Sequence, residues 1–274
     1  MSAQPRSLVL VGAGKMGSAL LSGWLAMGVE GASMTALEPA PSPATSALCH
    51  GSGIRLASAA ESGLPAPEAL VIALKPQAFG SAAADFAFLA GPHTLVLSIM
   101  AGKTLADLRR ALPGASAYVR AMPNTPAAIG RGVSGLVAAP GASPEQLALA
   151  DALLSAVGGV EWLADESLMD AVTALSGSGP AYVFYLAECM AQAGEAAGLP
   201  CEIAQRLARS TVEGASALMA SEPDVSPADL RAAVTSPGGT TQAALDVLRQ
   251  ADGLASLIGR AVEAAKRRAG ELSG

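Results

Sequence analysis

The chain has 274 residues, enough for one large domain or two small ones, with 51% hydrophobic but only 3% aromatic residues. A net charge of −6 leaves no basic face for phosphate contacts, so we expect no nucleic-acid partner. The three cysteines show neither metal-ligand spacing nor a disulfide framework, and His50 and His93 lie far from any glycine motif. We expect no metal site, and we expect both histidines to lie in surface loops.

The sequence also bears on localisation. No apolar run is long enough to cross a membrane, and the first residues lead directly into a strand without the apolar segment of a signal peptide. Cysteines without a disulfide pattern are typical of a reducing compartment. The sequence therefore predicts a cytoplasmic protein with no membrane contact.

Short apolar runs alternate with helical segments in the first half of the chain. The predicted strands are Leu8–Val11, Met34–Leu37, Ala69–Leu74, Thr94–Ser98, Ala117–Arg120, Gly135–Ala138 and Val160–Leu163. The predicted helices are Met16–Met27, Gln77–Leu89, Leu105–Leu112 and Pro144–Val157. This alternation predicts a doubly wound α/β sheet, and we assign residues 1–165 to a Rossmann-type dinucleotide-binding domain.

The second half has helical spacing throughout. Its predicted helices are Leu168–Leu175, Tyr182–Ala197, Glu202–Ala220, Ala228–Val234, Gln242–Arg249 and Leu254–Gly270. We assign residues 166–274 to an all-α domain. Because these helices are apolar around much of their girth, we expect them to complete their core against a second subunit, giving a homodimer.

A glycine-rich loop, Gly12–Gly17, follows the first strand and opens a helix. In that context Gly12 permits a tight turn, Gly14 admits a pyrophosphate close to the backbone, and Gly17 lets helix and strand pack closely. Alone the motif is weak, but with strand, loop and helix in order it favours a dinucleotide site over a structural turn.

Glu38 ends the second predicted strand, where an acidic residue bonds the adenosine ribose hydroxyls and repels a 2′-phosphate. This position favours NADH over NADPH. The alternative is a solvated carboxylate beside a proline-rich loop at residues 39–43. Lys75 follows a buried strand. The sequence leaves two interpretations open: its side chain contacts a ligand, or it is exposed to solvent without a function.

Two further loops have open interpretations. Met122–Pro126 places Asn124 and Thr125 between two prolines after a strand, which favours ligand contact by its location. Ser176–Pro180 interrupts the helical half, and it is either a flexible break with capping serines or a point of close approach to a ligand or partner subunit.

The stretch Ser236–Thr241 (SPGGTT) joins two predicted helices. A glycine-rich turn before a helix leaves backbone N–H groups and hydroxyls pointing at one spot, which suits a small anion such as a carboxylate. The turn lies in the other half of the chain from Gly12–Gly17. One loop for a nucleotide and another for a substrate anion together indicate an enzyme.

These stretches resemble the Δ1-pyrroline-5-carboxylate reductase family, which catalyses the last step of proline synthesis. The most specific matches are Asp170–Phe184 (DAVTALSGSGPAYVF) and Leu230–Leu248 (LRAAVTSPGGTTQAALDVL), with Gly12–Gly17, Ala73–Pro76 and Met122–Pro126 in family order. The resemblance implies a Rossmann domain followed by a helical dimerisation domain, with NADPH or NADH as hydride donor. It further implies pyrroline-5-carboxylate as substrate, and dimers that in some members form decamers of five dimers.

The resemblance also implies roles for individual residues. By the resemblance, the expected cofactor-binding residues are Gly12, Gly14, Met16, Gly17, Ala73, Leu74, Lys75 and Pro76. We add Lys15 of the same glycine-rich loop and Glu38 at the end of the second strand, which the resemblance does not supply. The expected substrate-binding residues are Ser236, Gly238, Gly239, Thr240 and Thr241, with Thr241 as the catalytic residue that donates or orients a proton at the ring nitrogen. NADPH-preferring relatives tend to have a small polar residue where Glu38 stands, and often Asn at Ala60, so the family default of NADPH is in doubt here.

Two alternatives remain at this point. A β-hydroxyacid or 6-phosphogluconate-type dehydrogenase resembles this architecture but uses a lysine on the long helix after its glycine-rich break. No lysine occurs between Lys103 and Lys266, which counts against that alternative. A non-catalytic dinucleotide-sensing scaffold would keep Gly12–Gly17 but would not need the turn at Ser236–Thr241.

Overall fold

The computed structural model describes residues 5–273. Contacts within the chain divide it into two compact units. One contains the residues up to 177 together with those from 265 onwards, and the other contains residues 178–264. The boundary that we place between residues 165 and 166 stays a prediction.

The first unit holds the sheet and its covering helices. Its strands are β1 (Leu8–Val11), β2 (Met34–Leu37), β3 (Arg55–Ala57), β4 (Ala69–Ile72), β5 (Leu95–Ser98), β6 (Ala117–Met122), β7 (Gly132–Ala138) and β8 (Gly158–Trp162). Its helices are α1 (Lys15–Ala26), α2 (Pro43–Ser52), α3 (Pro76–Phe86), α4 (Leu105–Ala111), α5 (Pro144–Ser155) and the short α6 (Met169–Val172).

The eight strands form one sheet in the order β3-β2-β1-β4-β5-β6-β7-β8. Neighbouring strands are parallel except for the antiparallel pair β6 and β7. In β1, Leu8 is in register with Met34 on one side and with Ala69 on the other. The order reverses between β1 and β4, which is the point where ligands of doubly wound sheets bind. The predicted Rossmann-type fold is confirmed.

Both faces of the sheet are buried, which explains the continuous apolar runs of its strands. Leu8 and Leu10 pack in one core layer with Trp24 of α1 and residues of α2 and α5. Val9 and Val11 pack in the opposite layer with residues of α3 and α4.

Trp24 offers a test of the first layer. Its ring is fully buried, and its Nε1 donates to the carbonyl oxygen of Leu153 at 2.8 Å. We expect Trp24→Phe to lower the free energy of unfolding by about 2 kcal/mol, because a buried carbonyl loses its donor and the ring shrinks. Trp162→Phe is the matched control. Because Trp162 is 40% exposed, this substitution should lower the free energy of unfolding by less than about 1 kcal/mol. Urea unfolding of both variants measures the difference, and equal losses would contradict this account.

One region after β2 differs from the prediction. The expected proline-rich loop at residues 39–43 is short, because Pro43 begins α2 and β3 follows that helix. Pro43 occupies the first helical position, where its missing N–H is no loss, and Ser42 caps the helix by accepting from Thr45 N at 3.1 Å. His50 therefore lies in the last turn of α2 and not in a loop, whereas His93 lies in an exposed turn as predicted.

The structure contradicts one of the two interpretations of Ser176–Pro180, the flexible break with capping serines. Residues Thr173–Gly177 form a π-helical turn that leads almost directly into the next helix. The hydroxyl of Ser176 donates to Val172 O at 3.0 Å, so this serine bonds back into the helix and does not cap a new one. This wider turn ends at Gly177, and only Ser178 separates it from the helix that begins at Gly179.

The remaining helices are α7 (Gly179–Ala196), α8 (Cys201–Ser221), α9 (Pro227–Ala233), α10 (Thr240–Leu248) and α11 (Leu254–Ser273), confirming an all-α second half. Helices α7 and α8 approach closely at Gly194, where an added Cβ would lie 3.2 Å from Ala204 Cβ. Many large apolar side chains of this part are nevertheless exposed, among them Phe184, Tyr185, Leu207, Val234, Val247 and Leu257. Within residues 5–273, no helix is both long and apolar enough to span a membrane.

Candidate active site

The glycine-rich loop after β1 has the geometry that its sequence predicts. Gly12 has a φ of +94°, and a Cβ there would lie 2.7 Å from the carbonyl oxygen of Ala73. A Cβ on Gly17 would collide with the carbonyl oxygen of Gly12. These two glycines are therefore required by the protein's own backbone.

Gly14 has a different reason for being glycine. It is exposed, and a Cβ at this position would meet no protein atom within 4 Å. It caps α1 with no side-chain hydrogen bond, and the N–H groups of Lys15, Met16 and Gly17 face no acceptor among the described residues. The start of α1 is thus an open anion site, as a pyrophosphate requires.

Other helices of the chain close their N-termini with their own side chains. Ser42, Thr104, Ser143 and Ser226 cap α2, α4, α5 and α9 respectively. In each case the hydroxyl accepts the backbone N–H three residues further on. The helices α3, α7 and α8 also begin without a side-chain cap, so the open start of α1 is distinguished by its place after the glycine-rich loop and not by the missing cap alone.

Two cavities flank the glycine-rich loop at the carboxyl ends of the strands. A cavity of 620 Å³ is lined by Gly14, Lys15, Ser18, Glu38, Ser42, Thr45 and Lys75, among others. A cavity of 350 Å³ is lined by Met16, Gly17, Ala73, Leu74, Lys75, Pro76, Met100 and Met122, among others. The structure thereby brings the predicted cofactor residues together on both sides of α1's N-terminus, and a dinucleotide fits this arrangement of free N–H groups and clefts. A larger groove of 940 Å³ between α1, α5 and β8 contains none of the predicted residues.

Glu38 lies in the first of these cavities and is half-buried. Its Oε2 accepts the N–H of Ala13 at 2.9 Å, and its Oε1 accepts the N–H of Ala40 at 3.1 Å. Glu38 is therefore not the freely solvated carboxylate of the alternative interpretation. Sequence reasoning missed its neighbours Ser18, Ser42 and Thr45, because no motif marks them and α2 was not predicted.

The Met122–Pro126 loop is fixed by hydrogen bonds of its own Asn124 side chain. Asn124 is 9% exposed, its Oδ1 accepts the N–H of Val133 at 3.0 Å, and its Nδ2 donates to Ser176 O at 3.1 Å. The amide therefore fixes the loop, while Met122 and Pro123 line the 350 Å³ cavity. Thr125 is exposed.

The Ser236–Thr241 turn lies in the unit of residues 178–264. Gly238 has a φ of +71°, and Gly239 N donates to Ser236 O at 3.0 Å. Pro at the second position and a left-handed Gly at the third are the signature of a type II turn. Ser236, Gly238 and Thr240 are exposed, while Gly239 and Thr241 are half-buried.

This turn leaves a second helix N-terminus open. Gly239 caps α10 with no side-chain hydrogen bond, and in the described chain the N–H groups of Thr240, Thr241 and Gln242 have no acceptor. The hydroxyls of Thr240 and Thr241 likewise make no hydrogen bond to a described residue. Three N–H groups and two hydroxyls at one helix end can hold a carboxylate.

The fold and the open glycine-rich loop indicate a class: a Rossmann-type, dinucleotide-dependent oxidoreductase with a helical C-terminal domain. Comparison with known protein families agrees with this class. The family described as pyrroline-5-carboxylate reductase dimerisation matches residues 166–272. The family described as NADP oxidoreductase, coenzyme F420-dependent, matches residues 7–102.

Individual relatives narrow the class to a family. A pyrroline-5-carboxylate reductase of Pseudomonas aeruginosa is 41% identical over 97% of this chain and 96% of its own. The structure of a pyrroline-5-carboxylate reductase from Coxiella burnetii matches with a TM-score of 0.90 at 34% identity, covering 98% of this chain and 99% of that one. The Plasmodium falciparum pyrroline carboxylate reductase with NADP bound matches with a TM-score of 0.80 at 26% identity, covering 98% of both chains. The chain belongs to the pyrroline-5-carboxylate reductase family.

Proposed function

We propose that this protein is an NAD(P)H-dependent reductase that converts the cyclic imine 1-pyrroline-5-carboxylate to L-proline, the last step of proline biosynthesis. Membership of the family supports the reaction. The observation that carries the assignment of residues is the pair of open helix N-termini, at α1 for the dinucleotide and at α10 for the substrate carboxylate. No observation favours the hydroxyacid dehydrogenase or the non-catalytic scaffold.

In this reaction a bound nicotinamide supplies a hydride to the carbon of the C=N bond. A protonated imine is already electrophilic, so the protein's main tasks are to orient the two rings and to fix the carboxylate. The N–H groups at Thr240 and Thr241 bind the carboxylate, each worth about 1.5–3 kcal/mol to a charged acceptor. Because the helix dipole adds roughly 0.3–1 kcal/mol, the direct hydrogen bonds dominate.

We assign Thr241 to the imine nitrogen, where its hydroxyl donates or orients a proton. An alcohol is a weak acid, so we expect Thr241→Val to lower kcat roughly tenfold, below the 10²–10⁴ of a full general acid. Steady-state kinetics across pH measure the effect. An unchanged kcat and pH profile would show that Thr241 has no part in proton transfer. Thr235→Val is the control, because its hydroxyl already donates to Arg231 O at 2.6 Å.

We propose that NADH is the preferred donor. The carboxylate of Glu38 lies in the 620 Å³ cavity beside the glycine-rich loop, where it accepts a ribose hydroxyl and repels a 2′-phosphate. The family description and the Plasmodium relative both name NADP, so this preference is a property of this chain's own residues.

We further propose a homodimer built on the helical half, assembly of five such dimers into a decamer, and a cytoplasmic location. Exposed Val183, Leu186 and Met219 line a 440 Å³ groove within the helical unit together with exposed Val234. Exposed apolar patches of this kind mark subunit interfaces. Sedimentation equilibrium distinguishes a monomer, a dimer and a decamer.

The decisive experiment is a spectrophotometric assay with pyrroline-5-carboxylate, following the oxidation of NADH and of NADPH separately. We expect turnover with both and a higher kcat/KM with NADH. Inactivity with both nucleotides would overturn the proposed reaction, and a strong preference for NADPH would overturn the role of Glu38. Activity on hydroxyacids but not on the imine would favour the dehydrogenase alternative.

A further inference from the structure

The backbone of Ala13, in the middle of the glycine-rich loop, is fixed on both sides by side chains. Its N–H donates to Glu38 Oε2 at 2.9 Å. Its carbonyl oxygen accepts from Ser18 Oγ at 2.9 Å and from Thr45 Oγ1 at 3.4 Å. Ala13 itself is 1% exposed and Thr45 is buried, whereas Glu38 and Ser18 are half-buried at the wall of the 620 Å³ cavity.

The three side chains come from different elements. Two of them are bonded to each other, and Glu38 is linked to them through the backbone of Ala13. Ser18 lies in α1, Thr45 in α2, and their hydroxyl oxygens are 2.8 Å apart. Thr45 Oγ1 is also 2.8 Å from Ser42 Oγ, the cap of α2. The loop, the start of α2 and the end of β2 thus form one hydrogen-bonded network.

The position of the Glu38 charge follows from this network. One carboxylate oxygen is bonded to Ala13 N–H and the other to Ala40 N–H, so both ends are tied to backbone. A carboxylate held in this way cannot rotate out of the cavity without breaking a charge-assisted hydrogen bond. A flexible acidic side chain could move aside for a 2′-phosphate, whereas this one stays.

We propose that Glu38 is a positioning residue for the glycine-rich loop as well as the group that discriminates between nucleotides, and that its tether to Ala13 keeps the loop preformed before any nucleotide binds. The inference rests on the proposed use of a dinucleotide and deepens it. The two roles depend on different properties of the side chain. Discrimination requires the negative charge, whereas positioning requires only an acceptor that reaches Ala13 N–H.

Two substitutions separate these properties. Glu38→Gln keeps one acceptor oxygen that reaches Ala13 N–H, removes the charge and gives up the bond from Ala40 N–H. Glu38→Ser has a side chain too short for its oxygen to reach Ala13. Glu30→Gln is the control for loss of one negative charge, because Glu30 is exposed and has no part in the network. Thermal unfolding of each variant checks that the fold is retained.

The first readout is hydrogen–deuterium exchange of the glycine-rich loop without nucleotide, measured by mass spectrometry on peptides covering residues 11–16. We expect exchange to be at least about tenfold faster in Glu38→Ser and unchanged in Glu38→Gln and Glu30→Gln. If Glu38→Ser exchanged at the same rate as the wild-type protein, the claim that Glu38 holds the loop in place would be overturned. Fast exchange in Glu38→Gln as well would overturn the claim that an acceptor alone is sufficient.

The second readout is the Kd for NADH and for NADPH by calorimetry. We expect Glu38→Gln to bind NADPH about tenfold more tightly with little change for NADH, and Glu38→Ser to weaken NADH binding. Tighter NADPH binding by Glu38→Ser, equal to that of Glu38→Gln, would overturn the positioning role. The exchange experiment uses neither nucleotide nor substrate. Faster exchange in Glu38→Ser would therefore support the positioning role even if the protein failed to reduce pyrroline-5-carboxylate.

Discussion

A single methyl group added at Gly17 is expected to weaken dinucleotide binding by about two orders of magnitude. In Gly17→Ala the new Cβ collides with the carbonyl oxygen of Gly12. Gly12 itself lies close to the backbone of Ala73, where a Cβ on Gly12 would be 2.7 Å from the Ala73 oxygen, so the loop has little room to yield. We expect a loss of about 1–3 kcal/mol in the free energy of unfolding from overpacking. Displacing the loop also costs at least two N–H bonds to the pyrophosphate, about 3 kcal/mol, which raises the Kd for NADH by roughly 100-fold.

Two other glycines supply the controls for this substitution. Gly14→Ala meets no protein atom within 4 Å and has a helix-compatible φ of −67°, so it should fold normally while blocking the pyrophosphate. Gly80→Ala lies in α3 with open space around it, and it should bind NADH normally with a stability gain of about 0.5–1 kcal/mol. Calorimetric titration with NADH and thermal unfolding measure all three. Normal NADH binding by Gly17→Ala would refute the assignment of this loop.

Removing one backbone donor from the α10 turn is expected to lower kcat/KM for pyrroline-5-carboxylate by about 10- to 100-fold. Thr240→Pro removes the N–H at the first position of α10, a position that tolerates proline because its N–H has no acceptor within the helix. The preceding Gly239 is extended, with φ −80° and ψ 172°, as a residue before proline must be. The expected loss equals one hydrogen bond to a charged acceptor, about 1.5–3 kcal/mol.

The control for this substitution is Thr240→Val, which removes the same hydroxyl and keeps the N–H. We expect its effect on kcat/KM to be below about tenfold, and we expect the Kd for NADH to be unchanged in both variants. Equal losses in the two variants would assign the effect to the hydroxyl. A loss of NADH affinity in Thr240→Pro would show that the turn does not serve the substrate alone.

The strands and the glycine-rich loop could be predicted from sequence because each depends on local signals. A parallel strand buried on both faces is a short apolar run, as in Leu8–Val11, and the run ends where the glycines begin. Gly12, Gly17 and Gly238 then adopt the backbone geometries that their spacing indicates. These features need no knowledge of distant residues.

The errors came from residues whose conformation depends on neighbours far along the chain. Three prolines at residues 39–43 indicate a loop, but Ser42 caps a helix whose Thr45 is buried against the glycine-rich loop. The glycines at residues 177 and 179 indicate a break, but Gly177 packs against Met122, where a Cβ would lie 2.9 Å from its Cε. Likewise, Asn124 appeared to face a ligand until Val133 and Ser176 were found at its two amide atoms. Only tertiary contacts decide such positions.

The order of the sheet has a consequence for how the protein is made. Strand β1 is synthesised first, yet it lies between β2 and β4, and β4 begins only at Ala69. At roughly 5–20 residues per second, several seconds of translation separate the appearance of β1 from that of its second neighbour. During that interval β1 is an apolar strand with an unpaired edge, so we expect it to be prone to wrong pairing until β4 has been synthesised.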